Sequence, residues 1–168
     1  MKKLFIATII LCATVISLHA QDKLKIGEVK AGKLVITNQE ALTAYFMNSL
    51  NHDGTLGKDY KVSTSPEGDR CVIQFPVNGN SSRISSIGVM MVKIKNDFFI
   101  VENPPEIDSS VPGGSGSLEI TCTGTDCMSC FMDIKWINGN WYPSVSCRCL
   151  MGNGTCDMTS RLVIKVEI

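Results

Sequence analysis

The feature that most constrains the fold of this chain is a cluster of six cysteines near its C-terminal end. The six are Cys122, Cys127, Cys130, Cys147, Cys149 and Cys156. An even number of cysteines in a short, glycine-rich segment is typical of secreted proteins, where disulfide bonds compensate for a small hydrophobic core. We therefore predict that residues 118–168 form a disulfide-stapled segment rich in β-hairpins, with the six cysteines paired.

The sequence leaves the pairing of these cysteines open, because six cysteines can be joined in many ways. Cys147 and Cys149 are separated by one residue and so project from the same face of a strand, which argues against a bond between them. We expect both to bridge to the turn that carries Cys127 and Cys130.

The same cysteines allow a second interpretation, in which they act as thiolates. Cys127 and Cys130, followed by Cys147 and Cys149, nearly match the two ligand pairs of a zinc ribbon, although the second pair is one residue too short. A Cys-x-x-Cys pair can also exchange disulfides, but it would then have to open a helix, and here it lies between strand-like segments. These four residues are therefore an alternative site for metal binding or disulfide exchange.

Residues 1–20 have the order of a secretory signal peptide. Lys2 and Lys3 precede an apolar run from residue 4 to residue 18, and Ala20 is a suitable cleavage site. The run is shorter than the roughly 20 apolar residues that a membrane-spanning helix needs, so we expect no membrane span in the mature protein. The protein is predicted to be exported to the periplasm, the cell surface or the medium.

The charge of the mature chain limits its partners. Without the two lysines of the leader, 14 basic side chains stand against 16 acidic ones, which gives a net charge of −2. Such a balance provides no electrostatic reason to bind nucleic acid or an anionic membrane. The expected partner is a protein or a glycan outside the cytoplasm.

Residues 21–102 are predicted to form an α+β unit with one N-terminal helix. A turn at residues 30–33 joins two short strands, and the helix then begins with Thr37 and Glu40 as a capping box. Its apolar residues recur at the spacing of one helix face, namely Leu42, Tyr45, Phe46 and Leu50, with Ser49 among them. This face is expected to pack on an antiparallel sheet.

Four predicted strands follow the helix, at residues 60–64, 70–77, 83–94 and 98–101. In the second strand Cys71 shares the apolar phase with Ile73 and Phe75, so it is predicted to be a small buried hydrophobe. Arg70 and Gln74 lie on the opposite face. One helix followed by antiparallel strands resembles the element order of cystatins, and this resemblance implies a fold without implying an activity.

Residues 103–117 have the composition of a linker or long loop. They include Pro104, Pro105 and a Gly-Gly-Ser-Gly run. After the Cys-rich segment that follows, apolar and polar residues alternate from 162 to 168, which predicts a half-buried final strand.

The spacing of the C-terminal cysteines carries a resemblance. The segment reads Cys-Thr-Gly-Thr-Asp-Cys-Met-Ser-Cys from residue 122 to residue 130, followed by Cys-Arg-Cys and Gly-Thr-Cys. This layout resembles that of small secreted proteins of Bacteroidetes bacteria. The resemblance implies an exported protein and assigns neither an activity nor a catalytic residue.

No arrangement of residues in the sequence meets the requirements of a catalytic site. The mature chain has a single histidine, His52, in a turn-forming Asn-His-Asp-Gly stretch, so a secreted hydrolase with a Ser-His-Asp or Cys-His mechanism would depend on it. No motif indicates a cofactor, and none is expected. The sequence favours a non-enzymatic binding or interaction module, with Trp136 and Trp141 as anchors of the partner contact if they face outward.

Overall fold

The computed structural model describes residues 23–101 and 116–163. The predicted signal peptide, nearly all of the predicted linker and the predicted final strand from residue 164 onward lie outside these ranges. Within them the chain forms one helix and nine strands. In chain order these are β1 (Lys23–Lys30), β2 (Lys33–Ile36), α1 (Gln39–Ser49), β3 (Thr55–Leu56), β4 (Lys61–Thr64), β5 (Arg70–Asn78), β6 (Ile84–Ile94), β7 (Asp97–Val101), β8 (Leu118–Lys135) and β9 (Ser144–Leu162).

The first two strands form the predicted hairpin. β1 and β2 are antiparallel, with Lys30 opposite Lys33. Ala31 and Gly32 connect them with φ angles of 50° and 75°, the left-handed conformation that two-residue hairpin turns require.

The start of α1 differs from the predicted capping box. Asn38 is the N-cap residue, and its Oδ1 accepts a hydrogen bond from the backbone N–H of Ala41 at 3.1 Å. The backbone N–H groups of Thr37 and Asn38 both donate to the carbonyl oxygen of Ile26 at 3.0 Å, which keeps Thr37 in the connection from β2. The cap therefore falls one residue later, on asparagine, a residue type strongly preferred at this position.

The apolar face of α1 packs on one face of the sheet, as predicted. Leu42 and Phe46 are fully buried, and Tyr45 and Leu50 nearly so. Phe46 contacts Phe75 of β5 edge to face, with ring centroids 5.3 Å apart. Burial contributes about 1.5–3 kcal/mol for each large apolar side chain, which makes this layer the main hydrophobic core. Its sheet side includes Ile26, Cys71, Ile73, Ile87, Val89, Met91, Phe98 and Ile100.

The strands differ in length and form one antiparallel sheet in the order β2-β1-β7-β6-β5, with β3 and β4 both paired to β5. β6 is the central strand, because β5 pairs along one of its edges and β7 and β8 pair along the other. Its residues 92–94 pair with β7, and residues 84–89 pair with β8. The chain on the two sides of the predicted linker therefore contributes to one sheet.

The coarse fold prediction is confirmed, because one helix packs on an antiparallel sheet and three disulfide bonds lie in the C-terminal segment. The C-terminal segment differs in one respect from the several hairpins that were expected. It is a single long ribbon, in which β8 and β9 pair from Leu118↔Leu162 to Lys135↔Ser144.

Candidate functional site

The six C-terminal cysteines form three disulfide bonds, as predicted. Cys122 bonds Cys147, Cys127 bonds Cys149 and Cys130 bonds Cys156, with Cα–Cα distances of 5.7, 5.7 and 5.9 Å. Cys147 and Cys149 each bond a cysteine of β8, which agrees with the expectation that they do not bond each other. The expected bridge to the turn at 127–130 is right for Cys149 and wrong for Cys147, whose partner is Cys122.

The physical reason is that the β8–β9 ribbon folds back on itself. In its ladder Cys122 lies opposite Met158, and Cys147 lies opposite Met132, far along the ribbon. A straight ribbon would hold the sulfurs of Cys122 and Cys147 well beyond bonding distance. Their bond therefore brings the outer hairpin, residues 130–149, over the inner half of the ribbon that is paired beside β6.

The fold-back occurs at a sharp turn in both strands, residues 126–129 and 150–154, which we call the bend. Asp126 and Gly152 have φ angles of 55° and 112°, and the strand register shifts repeatedly here. A Cβ atom at Gly154 would collide with the carbonyl oxygen of Thr125, so only glycine fits at this approach of the two strands. The Cys127–Cys149 bond lies across the bend and fixes it.

The outer hairpin covers the face of the sheet opposite α1. A second apolar cluster fills the space between them, formed by Val72, Met90, Ile120, Cys122, Cys130 and Met132. Gly88 of β6 leaves room for Met132, whose sulfur would lie 3.2 Å from a Cβ atom at that position. The molecule therefore has three layers, with the sheet between the helix and the outer hairpin.

Arg70 holds the tip of the outer hairpin, where both candidate tryptophans lie. Its guanidinium donates to the carbonyl oxygens of Asn140 and Trp141, both at 2.8 Å, and to the carboxylates of Glu67 and Asp69. The guanidinium also lies 5.1 Å from the ring centroid of Trp141 and 5.7 Å from that of Trp136. Arg70 is only 8% exposed, so these bonds are shielded from water.

Trp136 and Trp141 are half-buried and pack on the second apolar cluster. The indole N–H of Trp136 donates to Ser63 Oγ at 3.0 Å, and that of Trp141 donates to the carbonyl oxygen of Gly116 at 3.5 Å. The polar end of each ring is thus directed into the protein. Ile137, between them in sequence, is half exposed.

The bend carries exposed apolar side chains that the sequence interpretation missed. Met128, Leu150 and Met151 are 82%, 61% and 59% exposed. One pattern in the sequence points to them, because large apolar residues stand directly beside Cys127, Cys149 and Gly152. Their exposure could be recognised only once the fold-back was known.

The structure also brings sulfur atoms together at the bend. The Sγ atoms of Cys127, Cys130 and Cys156 lie within 4.8 Å of one another, although each is part of a disulfide bond. This set differs from the four cysteines of the alternative interpretation, because Cys147 bonds Cys122 and Cys156 takes its place near the others. A thiolate is the nucleophile in disulfide exchange and the form that binds metals, so this chemistry would begin with reduction of a bond.

Cys71 is the one free cysteine among the described residues, and it is completely buried, as predicted. Burial raises the pKa of its thiol to about 12. The group is therefore a neutral thiol in the folded protein and behaves as a small hydrophobe beneath the helix.

His52 lies in the exposed turn that ends the helix, with a φ angle of 56°. The next residue, Asp53, accepts hydrogen bonds from the hydroxyl and backbone N–H groups of Ser81 and Ser82. These bonds, first of all those from Ser81, lower the pKa of the Asp53 carboxyl below its usual value. The turn thus ties the helix end to the loop between β5 and β6.

A buried carboxylate joins the helix to the inner half of the ribbon. Glu119 of β8 is 4% exposed and accepts hydrogen bonds from the hydroxyls of Tyr45, at 2.8 Å, and Ser49, at 2.5 Å. Arg161 of β9 donates to its second oxygen at 2.7 Å. The hydrogen bond to Glu119 raises the pKa of Arg161, so the carboxylate has a permanent positive partner.

We expect the protein to lose stability as the pH rises above 10.0, the ordinary pKa of tyrosine. Burial, and then the charge of Glu119, raise the pKa of Tyr45 above that value in the folded state. Its contribution to stability is complete below pH 10.0 and declines above it, because tyrosine then ionises only in the unfolded chain. Denaturant unfolding on both sides of this pH measures the decline.

Two variants provide the comparison for this pH dependence. Tyr45→Phe should lose less stability than the wild type over the same interval. Tyr60→Phe, at a position that is 43% exposed, should lose as much as the wild type. The same alkaline loss in Tyr45→Phe and in the wild type would show that Tyr45 is not the responsible group.

Among the described residues, no helix has the length and apolar character needed to cross a membrane. Comparison of the chain with family models, curated proteins and solved structures finds no match.

Proposed function

We propose that this protein is an exported, non-enzymatic binding module that contacts a partner protein through the bend. The three disulfide bonds support a location outside the cytoplasm, because such bonds persist in oxidising compartments. The signal-like order of residues 1–20 supports the same location independently.

The observation that carries the proposal is the exposure of Met128, Leu150 and Met151 at the bend. Single exposed apolar residues are normal, whereas several in one small region are typical of contact sites. Methionine side chains are flexible and polarisable, so they adapt to the surface of a partner. Because the Cys127–Cys149 bond already fixes the backbone here, binding would require little further ordering.

The surroundings of the bend also suit a protein partner. A groove of about 590 Å³ lies beside it, between the β5–β6 loop and residues 124–128. Arg83 and Asp126 line this groove together with Met128. An apolar centre with a polar, charged margin is the usual anatomy of a protein–protein interface.

Trp136 and Trp141 remain a proposed second contact at the other end of the outer hairpin. Both tryptophans are half-buried, so part of each remains accessible, and Ile137 beside them is 50% exposed. Since their indole N–H groups bond within the protein, a partner would meet only the apolar edges of the rings. We rank this surface below the bend for that reason.

Photo-crosslinking in the native compartment tests the proposal. A photoreactive amino acid at position 128 or 151 should give a discrete crosslinked product, and the same group at the exposed control position Lys33, on edge strand β2, should not. Met151→Glu should abolish the product formed at position 128 without lowering the thermal stability of the protein. The proposal fails if all three positions crosslink alike or if none of them does.

A thiol-dependent function, either metal binding or disulfide exchange, is the second candidate. The observation that favours it is the 4.8 Å grouping of the Cys127, Cys130 and Cys156 sulfurs, since exchange between the two neighbouring bonds would need little movement. Protein purified from its native compartment without reductant distinguishes the two candidates. A stoichiometric zinc content that is lost on chelation, or more free thiols than Cys71 alone, would favour this second function. A metal-free protein with one free thiol would exclude metal binding. Failure of all three bonds in the folded protein to exchange with a glutathione redox buffer would exclude disulfide exchange.

We also propose that residues 23–101 follow the cystatin-like element order. The single helix packed across one face of an antiparallel sheet supports this. The β1–β2 hairpin before the helix is an addition to that order, and the proposal carries no activity.

A further inference from the structure

A cavity of about 230 Å³ lies where the bend meets the sheet. Its apolar lining comes from Pro76 of β5, Phe131 of β8 and Leu150 of β9. The exposed residues Asp59 and Lys61 also line it, so the cavity opens to solvent on their side. Lys61 Nζ lies 3.9 Å from the ring centroid of Phe131, so the ammonium group of Lys61 covers one face of that ring.

Two buried polar side chains lie at this cavity, and one of them has no hydrogen-bond partner among the described residues. Ser86 is 5% exposed, and its Oγ is buried with no hydrogen-bond partner among the described residues. Gln74 is 8% exposed and lines the same cavity. Ser86 lies opposite Pro76 in the ladder and Gln74 lies opposite Gly88, so both side chains project from the same face of neighbouring strands.

A buried polar group without a hydrogen bond is costly, and native proteins rarely leave one unpaired. The unpaired Ser86 hydroxyl beside a cavity therefore indicates that a bound molecule completes it. A serine hydroxyl reaches a new partner by rotation about a single bond, so Ser86 can turn toward the cavity at little cost. An apolar cavity with a few convergent polar groups is the usual form of a small-ligand site.

The size of the cavity limits the ligand. An apolar cavity of about 150 Å³ holds benzene, so this one accommodates a single substituted ring. A sugar of the same size would bury more hydroxyl groups than Ser86 and Gln74 can pair. An anion would meet Asp59 at the opening as well as Lys61, so a charged ligand has no clear advantage.

We propose that this cavity binds a neutral aromatic ring with one hydroxyl group, a phenol, whose hydroxyl bonds Ser86 and Gln74 while its ring packs against Phe131, Pro76 and Leu150. The phenol is either a free small molecule or the tyrosine side chain of a bound chain. The hydroxyl both donates and accepts, which matches the serine hydroxyl and the glutamine amide. This proposal is independent of the partner contact proposed at the bend, because the cavity can bind a phenol whether or not Met128 and Met151 contact a partner. It is tested with a variant of Ser86 rather than with variants of the methionines.

The test uses 4-methylphenol and toluene, which share a similar ring and differ in the hydroxyl. Titrations followed by ligand-observed NMR should show 4-methylphenol binding the wild type about fivefold or more tightly than toluene, the effect of one hydrogen bond. Ser86→Ala should lower the affinity for 4-methylphenol about fivefold and leave that for toluene unchanged. Ser144→Ala, at an exposed position outside the cavity, should change neither.

A short tyrosine-containing peptide distinguishes the two sources of the phenol. Tighter binding of the peptide than of 4-methylphenol assigns the site to a bound chain, and weaker binding assigns it to a free molecule. Equal affinity for 4-methylphenol and toluene would overturn the proposal, as would unchanged 4-methylphenol binding by Ser86→Ala. A crystal structure in which ordered water occupies the cavity and 4-methylphenol does not displace it would also overturn it.

Discussion

Replacement of both Cys122 and Cys147 by alanine is expected to lower the free energy of unfolding by about 4–5 kcal/mol and to release the outer hairpin from the sheet. The bond closes a loop with a sequence separation of 25 residues, and the chain entropy of such a loop accounts for about 3.5 kcal/mol. The remainder follows from the loss of the fully buried Cys122 sulfur from the second apolar cluster. Denaturant unfolding measures the total.

Tryptophan emission provides a second measurement for the same variant. Trp136 and Trp141 lie in the outer hairpin and pack on the second apolar cluster, so its release should expose both rings and shift their emission to longer wavelength. The matched control is Cys127→Ala with Cys149→Ala, which removes the partly exposed bond at the bend with a separation of 22 residues. This control should lose about 3 kcal/mol and keep the native emission. Unchanged emission in the Cys122 and Cys147 variant would refute the anchoring role of that bond.

Glu119→Ala is expected to lower the free energy of unfolding by about 3 kcal/mol. The substitution leaves the hydroxyl of buried Tyr45 without its acceptor, and it also removes the acceptor of Ser49 and the partner of Arg161. The expected loss of stability is moderate because the Arg161 side chain is 62% exposed, so water partly replaces its bond to Glu119. Urea denaturation at neutral pH is the appropriate measurement.

The control for Glu119 is Glu28→Ala on β1. Glu28 also forms an ion pair, with Lys30 at 2.7 Å, but the Lys30 side chain is 63% exposed. Surface pairs of this kind contribute little, so the change in stability should stay within about 0.5 kcal/mol. Glu119→Gln should fall between the two alanine variants, because the amide oxygen still accepts a hydrogen bond. Equal losses for Glu119→Ala and Glu28→Ala would show that the buried network adds no stability.

The strands between residues 60 and 101 are predicted to within one residue of their observed ends, because their signals are local. Alternating apolar residues define each strand, and turn residues such as Gly68 and Gly79, both with positive φ, separate them. The helix face is predicted equally well, since the spacing of Leu42 and Phe46 depends only on helical geometry. In these cases short-range sequence information is sufficient.

The features that sequence reasoning missed depend on contacts between distant residues. The polar character of Gln74 suggests a solvent-facing position, yet it is buried because the outer hairpin covers that face of the sheet. The pairing of Cys122 with Cys147 likewise follows from the fold-back, which no local pattern encodes. The acceptor of Tyr45 and Ser49 is Glu119, which belongs to a strand far along the chain.

The order of the three bonds along the chain has a consequence for how the protein matures. The first cysteines of all three pairs precede all of the second cysteines in the sequence, so the pairs 122–147, 127–149 and 130–156 interleave. During synthesis Cys127 and Cys130 emerge before any of their native partners, and they are near enough in sequence to pair with each other. Such a premature bond has to be broken again by thiolate attack before the ribbon can close. Biogenesis of this protein is therefore expected to require an isomerase that rearranges disulfides in addition to the oxidant that forms the three bonds.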